Sequence, residues 1–175
     1  MITTEQRFSR ERIVAGVIAG LSAGIVMAAA LMIYCGAVGL GFLHPVQIMS
    51  GTFYGEDAIL GGVGPTLVGL VTHLVGSAIF GVIFSALLPR TVTVGQAVGG
   101  GIAYGLAVWA FLTFIDLPLM NRIMSERINL MPGWWFASCL VFGACLGLTP
   151  YLFRNYGVAG MPGIRSTTAT SRRAA

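Results

Sequence analysis

The sequence predicts an all-α integral membrane protein, a bundle of four transmembrane helices with short interfacial helices on the outer face. Three observations predict it. Hydrophobic residues make up 56% of the chain and charged residues only 9%, whereas a soluble domain carries about 25% charged residues. No Asp, Glu, Lys or Arg falls between Arg12 and Glu56, Asp57 and Arg90, Arg90 and Asp116, or Arg127 and Arg154. Each of these stretches exceeds the about 20 apolar residues that one helix needs to cross a bilayer core. Within them, glycine and alanine recur at every fourth position, the spacing that lets membrane helices pack closely.

Residues 1–12 form a polar, basic arm. The apolar run of residues 13–34 is longer than the about 7–15 residues of a secretory signal core. Tyr34 before Cys35 is too bulky for a lipidated cysteine, so the segment reads as an uncleaved anchor. The first helix is expected over 13–38. His44-Pro45 follows, and Pro45 suits the first turn of a short helix because its missing N–H is not needed there. Val46, Met49 and Phe53 fall on one face of that segment, which reads as an interfacial helix. Glu56-Asp57 and the glycines through Gly64-Pro65 close the connection. The second helix is expected over 66–88, ended by Pro89-Arg90, and the third over 96–115. Asp116-Leu117-Pro118 then opens a second surface segment, and the fourth helix spans 134–153. Trp134 and Trp135 sit at its start, where headgroup-level aromatics are common. Residues 154–175 are small, polar and aperiodic, the composition of a disordered tail. Residues 13–153 therefore make one transmembrane domain.

Orientation follows from the arginines, since the chain has no lysine. Arg7, Arg10, Arg12, Arg90, Arg154, Arg165, Arg172 and Arg173 lie on one side and only Arg122 and Arg127 on the other. Positive residues favour the cytoplasm, so both termini are expected there. The two halves echo each other: each has a glycine-rich helix, a proline-led segment and a returning helix with Phe-Gly, Phe80-Gly81 or Phe142-Gly143.

Stripes of small residues mark the packing faces. Gly16, Gly20, Gly24 and Ala28 line one on the first helix, Ala97, Gly101 and Gly105 one on the third, and Gly143 with Gly147 one on the fourth. The second helix offers Ser77 with Gly81. Four such helices leave little room for an aqueous pore, and the same faces also suit contacts with a second copy or a larger membrane complex. The remaining partner is the lipid bilayer; the basic residues lie in segments flanking the spans and do not point to nucleic acid.

Little in the chain points to catalysis. The three cysteines, Cys35, Cys139 and Cys145, show no CxxC spacing. Gly99-Gly100-Gly101 lacks the Lys-Ser/Thr of a phosphate-binding loop. No cofactor or metal is expected, and the chain is not expected to be an enzyme. The candidate intramembrane polar site is His73 with Ser77, one turn apart, and His73 lies roughly 10 Å deep at ~1.5 Å per residue. A neutral imidazole bonded to a neighbouring helix is one reading, proton or small-solute handling is the second, and metal or haem ligation is the third, set back because the other histidine, His44, sits in the first outer connection. The outer-face polar candidates are His44, Glu56, Asp57 and Asp116. The expected function is a structural or accessory membrane component, with a small proton-linked transporter using His73 as the alternative.

Thr72-His73, Ser77 and Phe80 on the second span, with Pro118-Leu119-Met120 after the third, resemble the YagU-like bacterial inner-membrane proteins. Gly51-Thr52-Phe53-Tyr54-Gly55 is similar to a stretch found in other small bacterial membrane proteins. The resemblance implies an inner-membrane location and no particular chemistry. The fourth span has no histidine, so a histidine pair shared between spans is not implied for this chain.

Overall fold

The computed structural model describes the backbone of residues 4–89, 92–129 and 131–155, and the side chains of residues 12–89, 92–129 and 131–148. Among them there is no strand. The chain forms α1 (Thr4–Ala37), the short α2 (His44–Met49), α3 (Gly51–Tyr54) and α4 (Asp57–Leu60), then α5 (Val63–Leu87) and α6 (Val94–Phe111). A π turn (Leu112–Asp116), α7 (Leu117–Met120), α8 (Arg122–Ile128) and α9 (Pro132–Asn155) complete it. Three helical stretches are long and apolar enough to cross a membrane: Arg12–Ala37, Val63–Leu87 and Val94–Met120. The fourth candidate is α8 with α9, bent by 105° across a short break, if that pair counts as one span.

Burial is inverted relative to a water-soluble fold. On α1 the small residues Ala15, Ala19 and Ala23 are at most 2% exposed, while Ile25 and Ile33 are 59% and 65% exposed. Side chains of that size facing outward suit lipid rather than water. The inward glycines hold two tight seams. In α1 and α5, a Cβ on Gly81 would lie 2.6 Å from the Gly20 Cα, and one on Gly16 would lie 2.7 Å from the Val82 Cα. In α6 and α9, a Cβ on Gly101 would lie 2.9 Å from the Gly147 Cα, and one on Gly143 would lie 2.8 Å from the Gly105 Cα. Backbone thus meets backbone in both pairs, the arrangement small residues permit in a membrane. The pairs join through α1 and α9, whereas α5 and α6 meet only lightly. Their link is made by side chains: the Tyr104 hydroxyl donates to the Phe80 carbonyl at 2.8 Å, and Phe84 and Phe80 pack against Tyr104 and Phe111.

Several boundaries differ from the sequence expectation, each for a local reason. α1 starts at Thr4, inside the basic arm. Hydropathy marks where lipid begins, and no Gly or Pro between Thr4 and Arg12 interrupts the backbone ladder. At the far end of the first pair, the Arg12 guanidinium donates to the Leu88 carbonyl and the Ser85 hydroxyl donates to the Arg12 carbonyl at 3.0 Å. α5 begins at Val63, after Gly61 and Gly62 with φ of 75° and 105°. Those angles favour glycine and turn the chain into the helix. α6 is opened by a capping box in which Thr93 and Gln96 bond each other's backbone N–H.

The segment led by Pro118 is the main correction. It does not start a separate surface helix; the third helix runs on to Met120. The π turn makes this possible. Leu117 N–H bonds the Leu112 carbonyl, five residues back. Proline lacks an N–H and in a regular helix strikes the carbonyl four residues earlier, so a widened turn before Pro118 accommodates it. The break comes at Asn121, with φ −143° and ψ 78°. In the first connection, Val46 and Ile48 are buried but Phe53 is 68% exposed, so Phe53 does not share the packed face. Arg90 and residues 156–175, the greater part of the expected tail, lie outside the described residues.

Candidate functional site

The geometry of α1 and α5 leads to His73. Its position follows the buried i, i+4 row Gly69, His73, Ser77, Gly81 on α5. Gly69 lies against the Val46 carbonyl of α2, and Gly81 against Gly16 and Gly20. His73 therefore has to meet α1 one turn beyond Gly20. It is 6% exposed, and its Nε2 lies 2.8 Å from the Gly24 carbonyl oxygen. A carbonyl oxygen can only accept, so Nε2 carries the proton and donates. Gly24 is needed here: a Cβ on it would lie 2.6 Å from the Ser77 Cβ. Ser77 is likewise 6% exposed and fills the space between Gly20 and Gly24.

Two cavities meet at His73. One, of about 220 Å³, is lined mainly by α1, α2, α8 and the start of α9, with Tyr34, Cys35, His44, Arg127 and Trp134 among its residues. The other, of about 280 Å³, is lined by Thr52, Ser77, Phe80, Asp116, Cys139 and Phe142 among others. Met27, Met49, Met124 and Trp135 line both along with His73. The wall of the first is almost wholly apolar. Tyr34 and Trp134 stack across its edge, with ring centroids 4.2 Å apart.

The outer-face candidates separate. His44, at the start of α2, and Asp116, at the end of the π turn, bound different cavities. Burial lowers the His44 pKa below its ordinary value of 6.5, and the Arg127 charge lowers it further. Glu56 and Asp57 are exposed and share a shallow depression with Glu126 and Arg127. Glu126 also pairs with Arg122 at 2.8 Å. Among the described residues, no three His, Cys, Asp or Glu side chains converge as metal ligands do.

Sequence reasoning missed two features of this region. The first is the methionines around His73, which have no spacing signal because they come from α1, α2 and α8. The second is Asn121, 4% exposed. Its Nδ2 donates to the Ile48 and Met49 carbonyls at 3.0 and 3.1 Å, and its Oδ1 accepts from Met124 N–H at 2.9 Å. A Cβ on Gly51 would crowd Asn121 Oδ1 at 2.5 Å. The signal available was an asparagine at the start of a short helix, a preferred N-cap. The chain matches no family model, no characterised protein and no solved structure.

Proposed function

We propose that this protein is a structural or accessory component of a bacterial inner membrane, related to the YagU-like proteins and without catalytic activity of its own. In this reading α1, α5, the α6–α7 stretch and α9 each cross the bilayer as a four-helix bundle. The short helices of the two connections lie at the outer interface, and both termini are cytoplasmic. The observation that carries it is the pair of backbone-to-backbone seams, which hold each helix pair in close contact. A homo-oligomer or larger complex is the natural partner. Among the described residues, a Cβ on Gly95, Gly99 or Gly100 of α6 would meet nothing within 4 Å, which leaves a small-residue face for another helix. Topology reporters fused at residues 1, 90 and 175 are expected to read cytoplasmic, and those near Glu56 and Glu126 to read outside. A cytoplasmic reading at Glu126 overturns the four-span arrangement, and an unaccompanied monomer in mild detergent overturns the accessory role.

A second reading, a small proton-linked carrier, rests on the position of His73 between two cavities. It predicts solute or proton flux in proteoliposomes that His73→Ala abolishes while the protein stays folded.

A further inference from the structure

His73 is 94% buried by its 6% exposure, and one of its two ring nitrogens is already committed. Nε2–H donates to Gly24, and a neutral imidazole then has a bare lone pair at Nδ1 that can only accept. Among the described residues no group bonds Nδ1, and no His73 atom is both fully enclosed and unpartnered. His73 lines both cavities, so the free acceptor is open to a guest there. An acceptor that faces an apolar wall without a partner is unfavourable, and the Gly24 bond keeps the ring from turning its N–H into the cavity without losing that bond.

We infer that the cavity of about 220 Å³ beside His73 is a binding site for a lipophilic aryl alcohol, a phenol or hydroquinone head group, whose O–H donates to His73 Nδ1. The size fits: an engineered apolar cavity of about 150 Å³ already holds benzene. The walls fit as well, because Tyr34, Trp134 and Trp135 offer ring faces and Met27, Met49 and Met124 offer thioethers that favour aromatic contacts. A mostly apolar wall with a few placed polar groups is the common form of a small-molecule site. A guest bearing only a carbonyl or ether oxygen would set lone pair against lone pair at Nδ1. The other polar groups of the wall, His44 and Arg127, come from the connections, and a metal is disfavoured by the lack of a converging donor set. Molecules of the proposed class dissolve in the bilayer and reach the site from it.

The inference goes beyond the accessory role and does not depend on the number of crossings. Its test compares 4-ethylphenol with 4-ethylanisole, of nearly the same shape but without the O–H, by calorimetry on the full chain in lipid nanodiscs. The phenol is expected to bind at least about fivefold more tightly, the range of one neutral hydrogen bond. In His73→Phe that preference should vanish. Equal affinities for the two compounds, no binding of either, or a phenol preference retained by folded His73→Phe would each overturn the assignment. The comparison on the unaltered protein decides the matter even where His73→Phe does not fold.

Discussion

The two helix pairs are built on one seam and finished differently. In α1 and α5, Gly16 and Gly20 enclose Gly81, and Gly20 meets the Ser77 carbonyl. In α6 and α9, Gly101 and Gly105 enclose Gly143, and Gly105 meets the Cys139 carbonyl. Followed one turn further, the first pair reaches Gly24 and His73, and the second reaches Trp109 and Trp135. Where the first sets a small residue against an imidazole, the second inserts two indoles, and His73 and Trp135 both line the two cavities. Trp109 is wedged edge-on against Phe114 and Phe136, and Trp135 Nε1 donates to Thr113 Oγ1 at 2.9 Å. The glycine seam is thus the scaffold common to both halves, and the turn beyond it sets which side chains wall the cavities.

The largest effect should come from the shared seam. Gly20→Leu and Gly101→Leu each place a side chain where only backbone fits, and both should destabilise at or above the about 1–3 kcal/mol of ordinary overpacking. Thermal unfolding and size-exclusion chromatography in mild detergent would check this; one sensitive pair and one indifferent pair would break the equivalence. The turn beyond the seam should then separate the halves. Trp135→Ala removes a filled indole and should destabilise by about 3–5 kcal/mol. His73→Ala removes a smaller side chain and the second bond to the Gly24 carbonyl, so about 1–3 kcal/mol is expected, with His73→Gln recovering part of it. Equal losses for Trp135→Ala and His73→Ala in denaturant titrations would erase the distinction.

The smallest effect concerns His44. Its pKa in the folded protein lies below the ordinary 6.5, so the unfolded chain binds the proton more readily. Stability from this group is fully present above about pH 6.5 and is lost as pH falls through the lowered value. Melting temperature should fall on acidification below neutrality, and His44→Gln should flatten that part of the profile. An unchanged profile would assign the acid sensitivity to other groups.

Much of this organisation can be read from residue pattern alone. Charge-free stretches marked the long apolar helices, and four-residue spacing picked out Gly16, Gly20, Gly101 and Gly143, because both signals are local and periodic. Phe80-Gly81 and Phe142-Gly143 even fall at matching places on the two seams. Other features depend on what lies across space. Pro118 reads as a helix start in isolation, yet a widened turn carries the helix past it. His73 stood out as a buried ionisable residue, but its bond to Gly24 required knowing which turn of α1 it faces. The cavities and their methionines have no sequence signature at all, since an unfilled space is a property of several elements together.

Asn121 bears on how such a chain would be made. Each seam closes within its own pair, between neighbours in the chain, so the α1–α5 hairpin is complete before α6 has been synthesised. What joins the first connection to the second half is a different kind of contact: one carboxamide that holds the Ile48 and Met49 carbonyls and caps α8 at once. It becomes available only after the third long helix has been laid down. Assembly would then bring the two pairs together in a docking step, in which Asn121 and the glycine at position 51 act beside the α1–α9 contact.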